Sequence, residues 1–194
     1  MTSEDLHNKF DHVFHVIVKP SFLKMDALGG EIPFWISTYH PAQEDDVNTE
    51  IHNLIKKLQN SGLKPHLVNL FELSIHIVDS HVGLQKMFTV EKRKSKEKFR
   101  KALQSTINIH ERLIPMIETQ VNDNNPDVLL VNGVGAVFPF IRSHNVLNNL
   151  QSAVKEIPTI MFFPGEYTGQ SLNLFGKLKD DNYYRAFNID NYKL

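Results

Sequence analysis

The sequence contains no cysteine. That absence removes disulfide bonds and every thiolate-based metal or redox centre from consideration. It also lacks an unbroken apolar run of the roughly 18 residues that a membrane-spanning helix needs. The N-terminus, "MTSEDLHNKFDHVFHVIVKP", has neither the basic start nor the small-residue cleavage site of a secretory leader. A cytoplasmic protein without membrane contact is the expectation. Internal repeats, low-complexity tracts and Gly/Ser/Pro linkers are missing as well, so residues 1–194 are read as a single domain with a substantial core.

The familiar catalytic signatures are absent too. There is no Gly-x-Ser-x-Gly elbow, no His-Glu-x-x-His and no Asp-x-Asp pair. No Gly-Lys-Ser/Thr completes a P-loop, and the acids Asp45–Asp46 and Asp180–Asp181 are adjacent, which in a strand would point them apart. The expectation is a protein with no catalytic residues, no metal and no cofactor, hence not an enzyme.

What is present is ordered alternation. Apolar spacing from Phe10 to Val18 predicts a helix ending at Pro20, and Ile51, Leu54, Ile55 and Leu58 form a second helical stripe. Short β-branched and aromatic runs predict strands at Glu31–Tyr39, Pro65–Leu73, Asp127–Gly133, Pro158–Gly165 and Asn182–Ile189. Helix is expected between them, including Phe138–Lys155. Strands apolar on both faces and alternating with helices predict an α/β fold. The expected form is a mainly parallel sheet of about five strands with helices on both faces, like a P-loop or Rossmann-like core without a functional Walker A loop.

In such a sheet, ligands sit beyond the carboxyl ends of the strands. The most suggestive element there is Gly133-Val134-Gly135, which follows an apolar run. A dinucleotide fingerprint needs a third glycine three positions later, where this chain has Phe138. The favoured reading is a tight turn in which both glycines take positive φ. Downstream, Arg142, Asn145 and Asn149 share one helical face, while His144, Asn148 and Gln151 share another. Arg142 near a helix start could grip a phosphate or carboxylate through both guanidinium edges.

Two loose histidine sets, His7/Asp11/His15 and His76/Asp79/His81, have helical spacing but no third neighbouring ligand, so metal is not expected. Between Lys86 and Lys101 there are eight Lys/Arg against two Glu, a local charge of +6, so the remainder of this −1 chain carries −7. Lys92, Arg93, Lys94 and Lys96 on this "86–101 helix" could touch nucleic-acid phosphates, although a solvated face is the favoured reading, with Phe88 and Phe99 as core anchors.

Four stretches together resemble the BrxB family: "EIPFWISTYHP" (Glu31–Pro41), "LLVNGVGAVFPFIRSHNVLNNL" (Leu129–Leu150), "MFFPGEYTGQSLNLFG" (Met161–Gly176) and "DDNYYRAFNI" (Asp180–Ile189). The resemblance covers nearly the whole chain. It implies a component of the bacterial BREX anti-phage system, which marks host DNA by adenine methylation and blocks phage DNA replication. Such systems include a methyltransferase, a large ATPase and PglZ, a protein with an alkaline-phosphatase-like domain. The resemblance implies an adaptor that binds another BREX protein, PglZ foremost, with any DNA contact weak or indirect, and it carries over no catalytic residue.

Expected recognition residues are Arg142, His144, Asn145, Asn149, Tyr183, Tyr184 and Arg185, since Tyr and Arg are common interface anchors. The four acids from Glu44 to Glu50, where a first phosphate loop would lie, would repel a triphosphate. A second reading is a divergent nucleotide- or phosphate-binding enzyme using the Gly133–Arg142 loop. A third is a DNA-contacting subunit using the basic segment.

Overall fold

A computed structural model of the protein describes residues 3–26, 33–179 and 186–193. Helix α1 (Ser3–Ile17) and the short α2 (Pro20–Leu23) precede strand β1 (Phe34–Tyr39) and helix α3 (Glu44–Asn60). Strand β2 (Pro65–Asn69) leads directly into α4 (Leu70–His81), then α5 (Leu84–Arg93), α6 (Lys96–Ile107) and α7 (Ile114–Asn124). The order continues with β3 (Val128–Asn132), α8 (Ser143–Ala153), β4 (Thr159–Tyr167), β5 (Leu172–Leu174), β6 (Leu178–Lys179) and β7 (Phe187–Asn188).

Five strands run parallel in the spatial order β2-β3-β4-β1-β7. The last residues of β4 pair antiparallel with β5, and β5 with β6, extending the sheet past its carboxyl edge. Side chains alternate along each strand. Phe34, Ile36, Leu129, Val131, Met161 and Phe163 point into a core beneath α4 and α6–α8. Their neighbours Trp35, Tyr39, Val128, Leu130, Ile160 and Phe162 point into a second core beneath α1 and α3. A strand buried on both faces can have no polar alternation, which is why these segments are continuous apolar runs. The α/β reading with helices on both faces is therefore correct.

Several boundaries differ from expectation, each for a local reason. The predicted strand Pro65–Leu73 ends at Asn69, whose side chain accepts from the backbone N–H groups of Phe71 (3.0 Å) and Glu72 (3.2 Å) and so starts α4 at once. The basic segment is two helices, because Lys94 is extended and Ser95 caps α6 by accepting from the Lys98 N–H. The helix expected from Phe138 begins only at Ser143, the residues before it forming turns around Pro139. The hairpin strands β5 and β6, of three and two residues, had no periodic signal to announce them. Of the strand expected over Asn182–Ile189, Phe187–Asn188 pairs with β1, and residues 182–185 lie outside the described residues.

Candidate functional site

The carboxyl ends of the parallel strands lie at Tyr39, Asn69, Asn132, Pro164 and Asn188. At β1 this edge is occupied by the chain's own charges. Asp190, in a 3-10 turn over Ile189–Asn191, accepts from the Ser37 hydroxyl (2.8 Å) and the Thr38 N–H (3.2 Å). It also pairs with the Lys9 ammonium at 2.9 Å, and that ammonium donates to the Thr38 carbonyl as well. The two side chains are only 15% and 19% exposed, so each charge depends on its partner for solvation.

Next to this network, the Tyr39 hydroxyl donates to Glu44 at 2.6 Å. Burial, followed by the bond to Glu44 and its charge, holds the phenol well above its usual range. Glu44, Asp45 and Asp46 fill the first turn of α3, where carboxylates stabilise the helix and repel an incoming anion.

The Gly133 turn joins β3 to the opposite half of the edge. Gly133 has φ +73°, and a Cβ there would stand 2.5 Å from the Asn69 Oδ1 that caps α4. Gly135 does not share this conformation, which corrects the expectation of positive φ at both glycines. Its small size is needed instead because a Cβ would meet the Phe175 ring at 2.9 Å and Pro164 at 3.0 Å. Phe138, which blocks a dinucleotide-type glycine, packs edge-on against Phe175.

Asn132 is 2% exposed and donates to Asn48 Oδ1 at 2.9 Å, while its own Oδ1 has no hydrogen-bond partner in the structure. None of Asn48, Asn69 or Asn132 was singled out from sequence. The available signal was an apolar run ending in Asn, which occurs in "LVN" of both β2 and β3 and recurs where Asn188 caps the final turn.

Arg142 occupies the N-cap position of α8 with an exposed side chain that makes no capping bond. It stands between two clefts. One, of about 400 Å³, includes Ser143, Lys177, Phe138 and Leu178. The other, of about 220 Å³, brings Arg142 together with Asn145, Asn108 and His110. Asn149 lies one turn further on and donates to the Asn145 carbonyl of its own helix at 2.6 Å. His144 is half-buried on α8. Tyr183, Tyr184 and Arg185 lie outside the described residues. Lys92, Arg93, Lys94 and Lys96 are all exposed around the break between α5 and α6, not along one helix.

The histidine sets are engaged otherwise. His7 faces Asp11 and Glu50, each at 3.5 Å, and His15 bonds the Asp11 carbonyl. The Lys57 ammonium holds the Asp11 carboxyl below the usual carboxylate range, chiefly through its hydrogen bond. Asp79 accepts from the Leu84 N–H, and His81 bonds the Ile77 carbonyl. Among the described residues, no group of three or more His, Asp or Glu side chains is placed to hold a metal ion.

Compared with known proteins, residues 66–189 match the family model described as BREX protein BrxB, well over half of the chain. The chain belongs to the BrxB family. The matched span runs from β2 through the Gly133 turn and α8 to the capping turn at Ile189. Similar BrxB proteins include the BREX protein BrxB of Bacillus cereus (strain H3081.97), 39% identical over 189 residues, covering 95% of this chain and 97% of that one. Another is the BREX protein BrxB of Escherichia coli O9:H4 (strain HS), 28% identical over 168 residues, covering 87% and 83%. No solved structure matches this BrxB-family chain. Among its described residues, no helix is long and apolar enough to cross a membrane.

Proposed function

We propose that this protein is a component of a BREX anti-phage system and acts there as a non-catalytic adaptor, holding another BREX protein, PglZ foremost. The observation that carries this reading is how the carboxyl edge is used. At β1 the edge is taken up by Lys9, Asp190, Ser37 and Thr38, which bond one another, and the neighbouring first turn of α3 carries the carboxylates of Glu44, Asp45 and Asp46. At α8 the exposed Arg142 sits beside Asn145, a pair suited to the backbone and carboxylates of a protein partner.

Pairwise co-purification with each neighbouring BREX protein tests the reading. PglZ is expected to be retained at near-physiological salt and weakened by Arg142→Ala. Retention of no BREX partner overturns the adaptor role.

One observation favours a second reading. The cleft of about 400 Å³ combines Arg142 and Lys177 with the first turn of α8, a setting in which an anion would be held. Calorimetry with ATP, GTP and cyclic nucleotides separates the two. Micromolar binding abolished by Arg142→Ala would replace the adaptor with a nucleotide-binding protein.

A further inference from the structure

Of the five large apolar side chains exposed among the described residues, Leu178 and Phe187 lie apart on β6 and β7, and the other three cluster. Phe71 (41% exposed) and Ile75 (37%) lie one turn apart on α4, and Phe88 (46%) faces them from α5. They flank a groove of about 210 Å³ between α4 and the α5–α6 hairpin, floored by Val78, Met87, Leu103 and Ile107. Sequence reasoning had placed Phe88 in the core; Met87 takes that inward position instead, leaving Phe88 outside. The groove is smaller than the roughly 300–1,000 Å³ of small-molecule sites. It is a shallow channel between helices, the shape that receives the anchors of another helix.

Charge says what kind of helix. Lys92 lies four positions after the groove-lining Phe88 on α5, and Lys96 three before the groove-lining Phe99 on α6, so helical spacing stacks each lysine next to a residue of the groove, outside its lining. Glu97 is engaged by Arg100 at 2.6 Å and Lys101 at 3.7 Å. Among the described residues, Lys92, Arg93, Lys94, Lys96 and Lys98 make no ion pair, and all are exposed. Glu91 is the carboxylate lining the groove. At the opposite end, the groove shares Ile107 and Phe140 with the cleft holding Arg142 and Asn145. An apolar channel therefore has cations at both ends.

We infer that this groove docks an acidic amphipathic helix of a partner protein, its apolar stripe against Phe71, Ile75 and Phe88 and its carboxylates against Lys92, Lys96 and Arg142. Duplex nucleic acid would meet the cations but has no apolar ridge to fill the channel. A second copy of this chain is poorly supplied as occupant, because its acid-led helix α3 already buries Val47, Ile51, Leu54 and Leu58 in its own core. The inference gives the partner chemistry of the adaptor reading and rests on it for the partner's place in the same system.

The test uses the full chain and a fluorescent synthetic peptide, stapled as a helix, with a leucine stripe at i, i+3, i+4 and i+7 on a glutamate background. Anisotropy titration is expected to show saturable binding that weakens with added salt. Phe88→Asp and, separately, the Lys92→Glu/Lys96→Glu pair are each expected to weaken it by about tenfold or more, the loss from removing one interface anchor. Melting curves check that the variants remain folded; these are surface positions, and the lysine pair removes no apolar packing.

Equal binding of a peptide of the same composition without the stripe overturns the inference, as does binding indifferent to Phe88→Asp. Tighter binding of duplex DNA, lost in the lysine pair but kept in Phe88→Asp, would make the hairpin a nucleic-acid site instead. Preference for phosphatidylglycerol vesicles, or a concentration-dependent dimer abolished by Phe88→Asp, would likewise replace it. The two proposals fail separately. Peptide binding without retention of any BREX protein sinks only the adaptor reading. PglZ retained equally by wild type, Phe88→Asp and the lysine pair sinks only the groove.

Discussion

On the α1/α3 side of the sheet, polar side chains meet one another: Lys9 pairs with Asp190 and Lys57 with Asp11, and the His7 ring faces Glu50. On the α4–α8 side, Lys92, Arg93, Lys94, Lys96 and Lys98 of the α5–α6 hairpin make no ion pair among the described residues, and exposed Phe71, Ile75 and Phe88 lie nearby. Each layer covers its own face of the same sheet with a large apolar core. The first layer pairs these groups within the chain and behaves as scaffold. The second has left apolar and basic surface uncommitted, an arrangement that costs solubility unless something covers it.

Substitutions should separate the layers in stability. The largest effect is expected for Asp190→Ala, which strands the largely buried Lys9 ammonium and orphans the Ser37 and Thr38 donors. A loss of about 3 kcal/mol in urea denaturation is expected. If the variant loses less than a surface change does, the β1 edge is not the closed scaffold described. Gly133→Ala comes next, at about 2 kcal/mol, from its positive φ and the collision with Asn69 that would loosen the α4 cap.

Lys57→Met should be smaller, under about 1 kcal/mol, since Asp11 and Lys57 are 37% and 43% exposed. Its signature is pH dependence. Because Lys57 lowers the folded-state pKa of Asp11, the pair's contribution is present above the unfolded value of about 3.9 and lost as pH falls through the folded one. Wild type and Lys57→Met should therefore converge in stability in acid, and carboxyl NMR titration should show Asp11 rising toward its ordinary range. Smallest of all, Phe88→Asp should change stability by less than about 0.5 kcal/mol, although it removes a large aromatic ring. A large loss would mean that the open layer is core after all.

Much of the fold was legible. The runs "FWI", "VLLV" and "IMFF" are apolar on consecutive positions, short and rich in β-branched and aromatic residues, the pattern of a strand covered on both faces, so β1, β3 and β4 could be placed from sequence. Element ends were harder, because they depend on single side chains. Asn69 stops β2 by capping α4, and Ser95 splits the basic segment by capping α6. Of the site, Arg142 at a helix start was readable from the polar run that follows Pro139. Its junction with Asn108 and His110 was not, since those residues come from a different segment. The same limit applies to Gly135, whose need for a missing Cβ comes from Phe175 in the later hairpin.

Local chemistry determined the periodicity of the helices, the two-faced apolar strands and the caps that begin α4 and α6, since each depends on residues within a turn or two of one another. Strand order and packing decided the rest. Lys9 and Asp190 lie near opposite ends of the chain, and they meet because β7 adds beside β1 and carries its capping turn to the helix over that strand. Phe88 and Phe99 look equally apolar in sequence, but the hairpin turns Phe99 toward the core and leaves Phe88 outside, because Met87 already fills the inward position on α5. Periodicity assigns a face to each residue, and only the packed neighbours determine whether that face is covered.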